Sequence, residues 1–251
     1  HAHFFQRVGN VLIGLDLDGT LAPIVEHPER AIVPPRLLSM LAQCARIDGT
    51  RVAIVSARSM ASIRRLLPIA GLHRLGQYGL EGPLAPSVER RRTLRRAAAR
   101  FANRASGDVA PIAGAWVERK GLTIAIHDRM ATPARRRALA LIVGSLHPEA
   151  RRLGFRPIPG QHVVDFVPTG FDKGTALWKT IRAFRPDVTF YFGDSPSDEP
   201  AFRVLRAGDY PVRVGPGPTL APFRVDGPHD VIRALSAVVR FRPDPASKPR
   251  R

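Results

Sequence analysis

The chain has 251 residues, 44% of them hydrophobic, enough to bury a core in one large domain or two small ones. Its formal net charge of +18 comes from arginines along most of its length, and it suits nucleic acid, an anionic membrane or a phosphorylated substrate, or else a composition bias carried on solvated faces. The single cysteine, Cys44, excludes an internal disulfide and a multi-cysteine zinc site.

Cys44 follows the apolar pattern Leu37-Leu38-x-Met40-Leu41, which reads as a buried structural thiol. There is no transmembrane-length apolar run and no signal-type hydrophobic stretch, so the expected location is cytoplasmic and no membrane partner is expected. The chain begins with His1-Ala2-His3 rather than Met, which leaves room for a lost leader.

In chain order, residues 1–10 read as a loose lead-in and 11–17 as a buried strand, Val11-Leu12-Ile13-Gly14-Leu15-Asp16-Leu17. Alternation along that strand places Asp16 and Asp18 on one face at its carboxyl end, where open α/β sheets bind ligands. Two such carboxylates repel and are costly to bury. A bound cation or a shared proton relieves the cost; a plain acidic turn is the alternative.

Pro34-Pro35 opens an amphipathic helix over about 35–47. A second buried strand, Arg51 to Val55, ends at Ser56-Ala57-Arg58, and a helix over about 59–67 stops at Pro68. Strand, helix, strand, helix argues for a parallel sheet. Residues 69–88 are rich in turn formers. An arginine-rich helix follows over about 89–105, with Leu94, Ala97, Ala98 and Phe101 as its buried face.

Ala115 to Glu118 and Leu122 to Ile126 flank Arg119-Lys120-Gly121 as a hairpin. A helix over about 133–146 comes next. A second hairpin runs from Phe155 to Ile158, turns at Pro159-Gly160 and returns from His162 to Val167. The doubled helix-and-hairpin pattern predicts a small α+β module inserted into the first domain. From Asp172-Lys173-Gly174 the α/β rhythm returns: a helix over about 174–184, a strand Val188 to Phe192, then Gly193-Asp194-Ser195-Pro196-Ser197-Asp198-Glu199. A short helix, a strand near 210–214 and a helix near 229–240 close the domain. The Pro-rich basic end, 241–251, reads as disordered.

Four segments lie at strand ends or helix starts: Asp16-x-Asp18-Gly19-Thr20, Ser56, Lys173 and Gly193-Asp194-x-x-x-Asp198. Four carboxylates, a hydroxyl and an ammonium are the groups needed to attack a phosphate monoester. A carboxylate nucleophile is repelled by a phosphate dianion, so a divalent cation is needed, and magnesium suits an all-oxygen site. Lysine would stabilise the transferring phosphoryl group and the hydroxyl would orient it.

This constellation resembles the haloacid dehalogenase (HAD) superfamily of phosphotransferases. More closely it is similar to the trehalose-6-phosphate phosphatases, over nearly the whole span from about 11 to 239. The similarity rests on Asp18-Gly19-Thr20-Leu21-Ala22-Pro23, Ser56-Ala57-Arg58, Gly76-x-x-Gly79-x-Glu81, Val117-Glu118-Arg119-Lys120 with His127-Asp128-Arg129, and Gly193-Asp194-Ser195-Pro196-Ser197-Asp198-Glu199-x-x-Phe202. The resemblance implies an α/β fold, a HAD-like Rossmannoid core with a parallel sheet (residues 1–82 and 169–240) and an inserted α+β cap (83–168) that closes over the site.

By the same resemblance, Asp16 would be the nucleophile and Asp18 the acid and base. Asp16, the Asp18 backbone carbonyl and Asp194 would hold magnesium, with Asp198 ligating it or orienting its waters. Ser56, Lys173 and the backbone near Gly19 and Thr20 would bind phosphate, and Glu118, Lys120 and Asp165 would contact sugar hydroxyls. The chain departs from the family pattern at Tyr78, Asp128, Asp165, Val167 and Ser195, three of these in the cap.

The expected activity is magnesium-dependent hydrolysis of trehalose 6-phosphate. A phosphatase for another sugar phosphate, of the sucrose phosphate or mannosyl-phosphoglycerate type, is the alternative. Nucleic acid is not the expected partner, because aromatics are few and not interleaved with the arginines. The intact acidic residues argue against a catalytically dead regulator. The sequence carries no signal for oligomeric state.

Overall fold

The computed structural model describes residues 9–241. The expected disordered end therefore falls, beyond Phe241, outside the described residues, as does most of the expected lead-in. The elements are β1 (Val11–Leu15), α1 (Pro35–Cys44), β2 (Thr50–Val55), α2 (Met60–Leu66), β3 (His73–Leu75), α3 (Val88–Val109), β4 (Trp116–Arg119), β5 (Ile124–His127) and α4 (Pro133–Arg152). They continue with β6 (Phe155–Gly160), β7 (Val163–Pro168), α5 (Lys173–Phe184), β8 (Val188–Gly193), α6 (Glu199–Arg203), β9 (Tyr210–Val214), β10 (Phe223–Val225) and α7 (Pro228–Phe241).

Two compact units result. One comprises the residues up to Leu84 together with those from Lys173 onward; the other is Ala85–Asp172. In the first, a six-stranded sheet runs β10-β9-β8-β1-β2-β3 with every pairing parallel. Such a sheet is buried on both faces, and its strands are near-continuous apolar runs. Val11, Ile13 and Leu15 face α1 and α7, meeting Leu37, Leu41, Val231 and Leu235. Leu12 faces the opposite side with Tyr191, Leu177 and Phe202. This is the expected α/β core with a parallel sheet.

From β1 the chain moves to β2 and β3 on one side, and later to β8, β9 and β10 on the other. The order reverses between β1 and β8, and ligands bind at such a switch point, outside the carboxyl ends of the strands.

The second unit is an antiparallel sheet, β4-β5-β7-β6. Its apolar face carries Ile124, Ile126, Phe155 and Phe166, packed on Phe101 of α3 and on Leu139 and Leu146 of α4. The α3 arginines fall mostly on the solvated side, with Arg92, Arg95, Arg96 and Arg100 exposed.

Several boundaries differ from the sequence expectation. The second hairpin turns at Gln161 and His162, and His162 takes the positive φ of 60°. Pro159 and Gly160 lie within β6, an edge strand, where a proline need not donate to a ladder. Helix α4 continues to Arg152 through Pro148, because the apolar stripe Leu139, Val143, Leu146 runs on to Ala150. The first strand ends at Leu15, so Asp18 is not part of a regular strand face. Strands β3 and β10, three residues each, were not anticipated. Among the described residues no helix is long and apolar enough to cross a membrane.

Two outcomes test this packing. A Cβ on Gly14 would lie 2.6 Å from the Tyr191 ring and 3.2 Å from Leu177, whereas one on Gly144 of α4 meets nothing within 4 Å. Gly14→Ala should cost about 1–3 kcal/mol and Gly144→Ala should add roughly 0.5–1 kcal/mol, read from urea midpoints. Burial pushes the Cys44 thiol from 9.0 up to about 12. The neutral thiol thus contributes stability that is full below pH 9.0 and is lost as pH rises toward about 12. A thiol reagent at pH 8 should modify Cys44 only as fast as the protein unfolds; rapid stoichiometric labelling of folded protein would contradict the burial.

Candidate active site

Asp16 directly follows β1, and its backbone N–H still donates to the Phe192 carbonyl of β8 at 2.9 Å. Asp194 follows the last residue of β8. Both carboxylates thus sit at the switch point. Lys173, the first residue of α5, reaches them from the helix start. Its Nζ lies 2.9 Å from Asp16 Oδ2 and 3.0 Å from Asp198 Oδ1, and all three side chains are buried.

Asp198 is fully enclosed. Its Oδ1 also accepts from the Tyr191 hydroxyl at 2.7 Å. Its Oδ2 accepts from the Ser195 hydroxyl at 2.8 Å and the Ser195 backbone N–H at 3.1 Å.

Burial pushes the Asp16 carboxyl well above the usual carboxylate range; Lys173 pulls it back, while Asp198, Asp194 and Asp18 push it further. Burial alone would lower Lys173, but Asp16, Asp198 and Asp194 outweigh it and keep the ammonium charged. Asp194 is pushed up to about 6, by burial first and against the pull of Lys173.

Asp16, Asp194 and Asp198 each offer one oxygen, all within 4.8 Å of one another. One ammonium pairs with two of the three carboxylates, and Arg213 adds a weaker pull on Asp194. Asp194 Oδ1 is buried with no hydrogen-bond partner. An orphaned oxygen in an all-carboxylate set fits a small, hard divalent cation.

The turn after β1 makes room for this cluster. Gly19 has φ +79°, and a Cβ there would lie 2.0 Å from Asp194 Oδ2, so any other residue would expel the carboxylate. Thr20 is fully buried and its hydroxyl has no partner. Ser56, at the end of β2, accepts the Arg58 backbone N–H at 3.2 Å on its oxygen, which keeps its hydroxyl proton available to a ligand.

The Asp18 carboxylate is not among the three clustered carboxylates. It lies against Arg58, with Nε to Oδ2 and Nη2 to Oδ1 both 2.7 Å. Arg58 lies within the Ser56-Ala57-Arg58 motif, where nothing in the sequence marks a role for it. Tyr191 was missed altogether, since inside the apolar run of β8 nothing marks its hydroxyl as functional.

In the second unit, Glu118 of β4 and Asp165 of β7 both register with Ala125 of β5, so they share the sheet face opposite the helices. Lys120 Nζ lies 2.7 Å from Asp165 and 3.9 Å from Glu118, and His127 Nε2 lies 2.8 Å from Glu118. The indole of Trp116 stacks on His127 at 4.5 Å. All three sugar-contact candidates therefore fall in one polar cluster, which His127 joins. Asp128, one of the departures from the family pattern, pairs with His162 at 3.0 Å.

Residues 14–228 match the trehalose-phosphatase family model. The chain is 31% identical over 249 residues to a bifunctional trehalose-6-phosphate synthase/phosphatase of Thermoproteus tenax, covering 94% of this chain but only 33% of that one. It is 30% identical over 233 residues to the trehalose-6-phosphate phosphatase of Escherichia coli, covering 86% of this chain and 82% of that one. Among solved structures, a trehalose-6-phosphate phosphatase related protein superposes with a TM-score of 0.77 at 24% identity, over 92% of this chain and 97% of that one.

The electrostatic linkage of the cluster can be measured. Tyr191→Phe removes one donor to a fully buried carboxylate and should cost about 1–3 kcal/mol. Lys173→Met leaves buried carboxylates without their ammonium and should cost about 3–5 kcal/mol. Urea denaturation in the presence of a chelator reads both; wild-type stability in Lys173→Met would show that the cluster does not depend on the ammonium.

Proposed function

Because the chain belongs to the trehalose-phosphatase family, we propose that it hydrolyses trehalose 6-phosphate to trehalose and phosphate, with magnesium and through an aspartyl-phosphate on Asp16. The observation that carries the reading is the Asp16–Lys173–Asp198 cluster with Asp194, at the switch point of the sheet. Magnesium held by Asp16, Asp194 and the Asp18 carbonyl would offset the negative charge that otherwise repels a phosphate dianion.

The chain's own residues supply the rest. Lys173 holds Asp16 Oδ2 at 2.9 Å, and its third N–H would be available to a phosphoryl oxygen. The hydroxyls of Ser56 and Thr20 and the backbone near Gly19 would hold the other phosphoryl oxygens. An Asp16 oxygen attacks phosphorus and the bond to the sugar oxygen breaks. Asp18, first protonated on a lone pair that Arg58 leaves free, would give that proton to the sugar oxygen, then take one from the water that attacks phosphorus and releases Asp16. Asp198, whose oxygens are occupied by Lys173, Tyr191 and Ser195, contributes by orientation.

Glu118, Lys120 and Asp165 are our candidates for binding sugar hydroxyls, and the second unit is our candidate for the cap. The departures at Asp165, Val167 and Asp128 favour one second reading, a phosphatase for another sugar phosphate such as a sucrose phosphate or mannosyl-phosphoglycerate.

Phosphate release from a panel of sugar phosphates, with magnesium and with chelator, tests both. Trehalose 6-phosphate should give the highest kcat/KM and chelator should abolish turnover; equal rates on glucose 6-phosphate would defeat the leading reading. Asp16→Asn should lower kcat by about 10³-fold or more with the fold intact. Full activity in that variant would refute the covalent route.

A further inference from the structure

We propose that Arg58 is the positioning residue of the acid and base, fixing where the Asp18 carboxylate stands and how its plane is turned. The proposal rests on the reading of Asp18 given above.

Arg58 lies in the turn between β2 and α2, and Asp18 in the turn after the neighbouring strand β1. The guanidinium meets the carboxylate with two parallel bonds, Nε to Oδ2 and Nη2 to Oδ1, both 2.7 Å. A bidentate fork fixes two positions and a plane, which a lysine's point charge cannot do.

The arginine is itself held. Its Nη1 donates to the Pro28 carbonyl at 2.8 Å and to the Ser62 hydroxyl at 3.1 Å. Its backbone N–H donates to Ser56 Oγ at 3.2 Å, and its carbonyl accepts the Gln77 N–H at 2.8 Å. The arginine side chain is 10% exposed and the Asp18 side chain 39%.

That asymmetry argues for function. Ion pairs with an exposed partner add little stability, so strength alone does not account for an arginine anchored on every side. A half-exposed aspartate on a turn has several rotamers open to it. A proton donor misplaced by about 1 Å can lose about 10²-fold in rate. The same short turn carries Ser56, so one rigid segment sets both a phosphate-binding hydroxyl and the orientation of Asp18.

The test separates leaving groups. A sugar alkoxide needs a proton to depart, whereas the phenolate of p-nitrophenyl phosphate does not. Single-turnover release of the leaving group is followed for the best sugar phosphate of the panel and for p-nitrophenyl phosphate. Arg58→Met should slow the sugar phosphate about 30–100-fold with half-saturation within about threefold, and the aryl phosphate only a few-fold. Arg58→Lys should recover part of the loss. Ser62→Ala, which withdraws one anchor and no charge, should shift the sugar phosphate the same way by a few-fold, and it covers the case in which Arg58→Met does not fold.

In an Asp18→Asn background, adding Arg58→Met should change the rate by less than about twofold, because the two act as a unit. Equal slowing of both substrates by Arg58→Met, or an undiminished loss in that background, would overturn the assignment while leaving the role of Asp18 intact. If Asp18→Asn itself treats the two substrates alike, the acid role of Asp18 fails, and the assignment of Arg58 fails with it.

Discussion

A single ammonium ion holds the centre of this molecule together. Three carboxylates converge on a buried space, and among the described residues Lys173 is the cation in ion-pair contact with them, at Asp16 and Asp198. Desolvation drives Asp16 and Asp194 toward protonation. Lys173 opposes that drive from 2.9 Å and stays charged because the acids around it outweigh its own burial. One ammonium nevertheless pairs with only two of the three acids. The orphaned oxygen of Asp194 shows where the remaining compensation belongs. The cluster thus fits a small, hard divalent cation.

The sheet is what makes so unfavourable a cluster affordable. Apolar side chains on both faces of β1 and β8 fix the two strands against each other in parallel register. Each strand then delivers a carboxylate just past its last residue. The acids are therefore placed by long apolar runs and not by their own interactions. Gly14 belongs to this support too, because a Cβ there would lie 2.6 Å from the ring of Tyr191, whose hydroxyl donates to Asp198.

Where the chemistry rests on those runs, the sequence was legible. Parallel order, the division into two alternating patterns, and the positions of Asp16, Ser56 and Asp194 follow from apolar strands that end in polar turns, and that of Lys173 from the start of a helix. What could not be read depends on neighbours far along the chain. Whether Pro159 breaks or joins a strand depends on β6 being at an edge. The three-residue strands β3 and β10 are too short to carry a period. Alternation put Asp18 beside Asp16, but the strand stops at Leu15 and a turn takes over, so the side chain goes to Arg58 instead. Tyr191 looks like one more apolar residue until Asp198 is folded against it.

Ser195 shows how a departure from a family pattern can be absorbed. The family pattern that this chain resembles has a second aspartate at this position, so the serine removes one carboxylate. In the structure the serine hydroxyl and backbone N–H both donate to Asp198 Oδ2, while Lys173 and Tyr191 take Oδ1. An ionised carboxylate has about four acceptor sites, and Asp198 uses all of them on the protein. An ionised aspartate at 195 could not donate from its side chain, and it would add a charge to a cluster already short of cations. The serine therefore makes Asp198 a fixed internal anchor for Lys173. Asp16 and Asp194 are left with oxygens that the protein does not fully occupy, Asp194 Oδ1 having no hydrogen-bond partner.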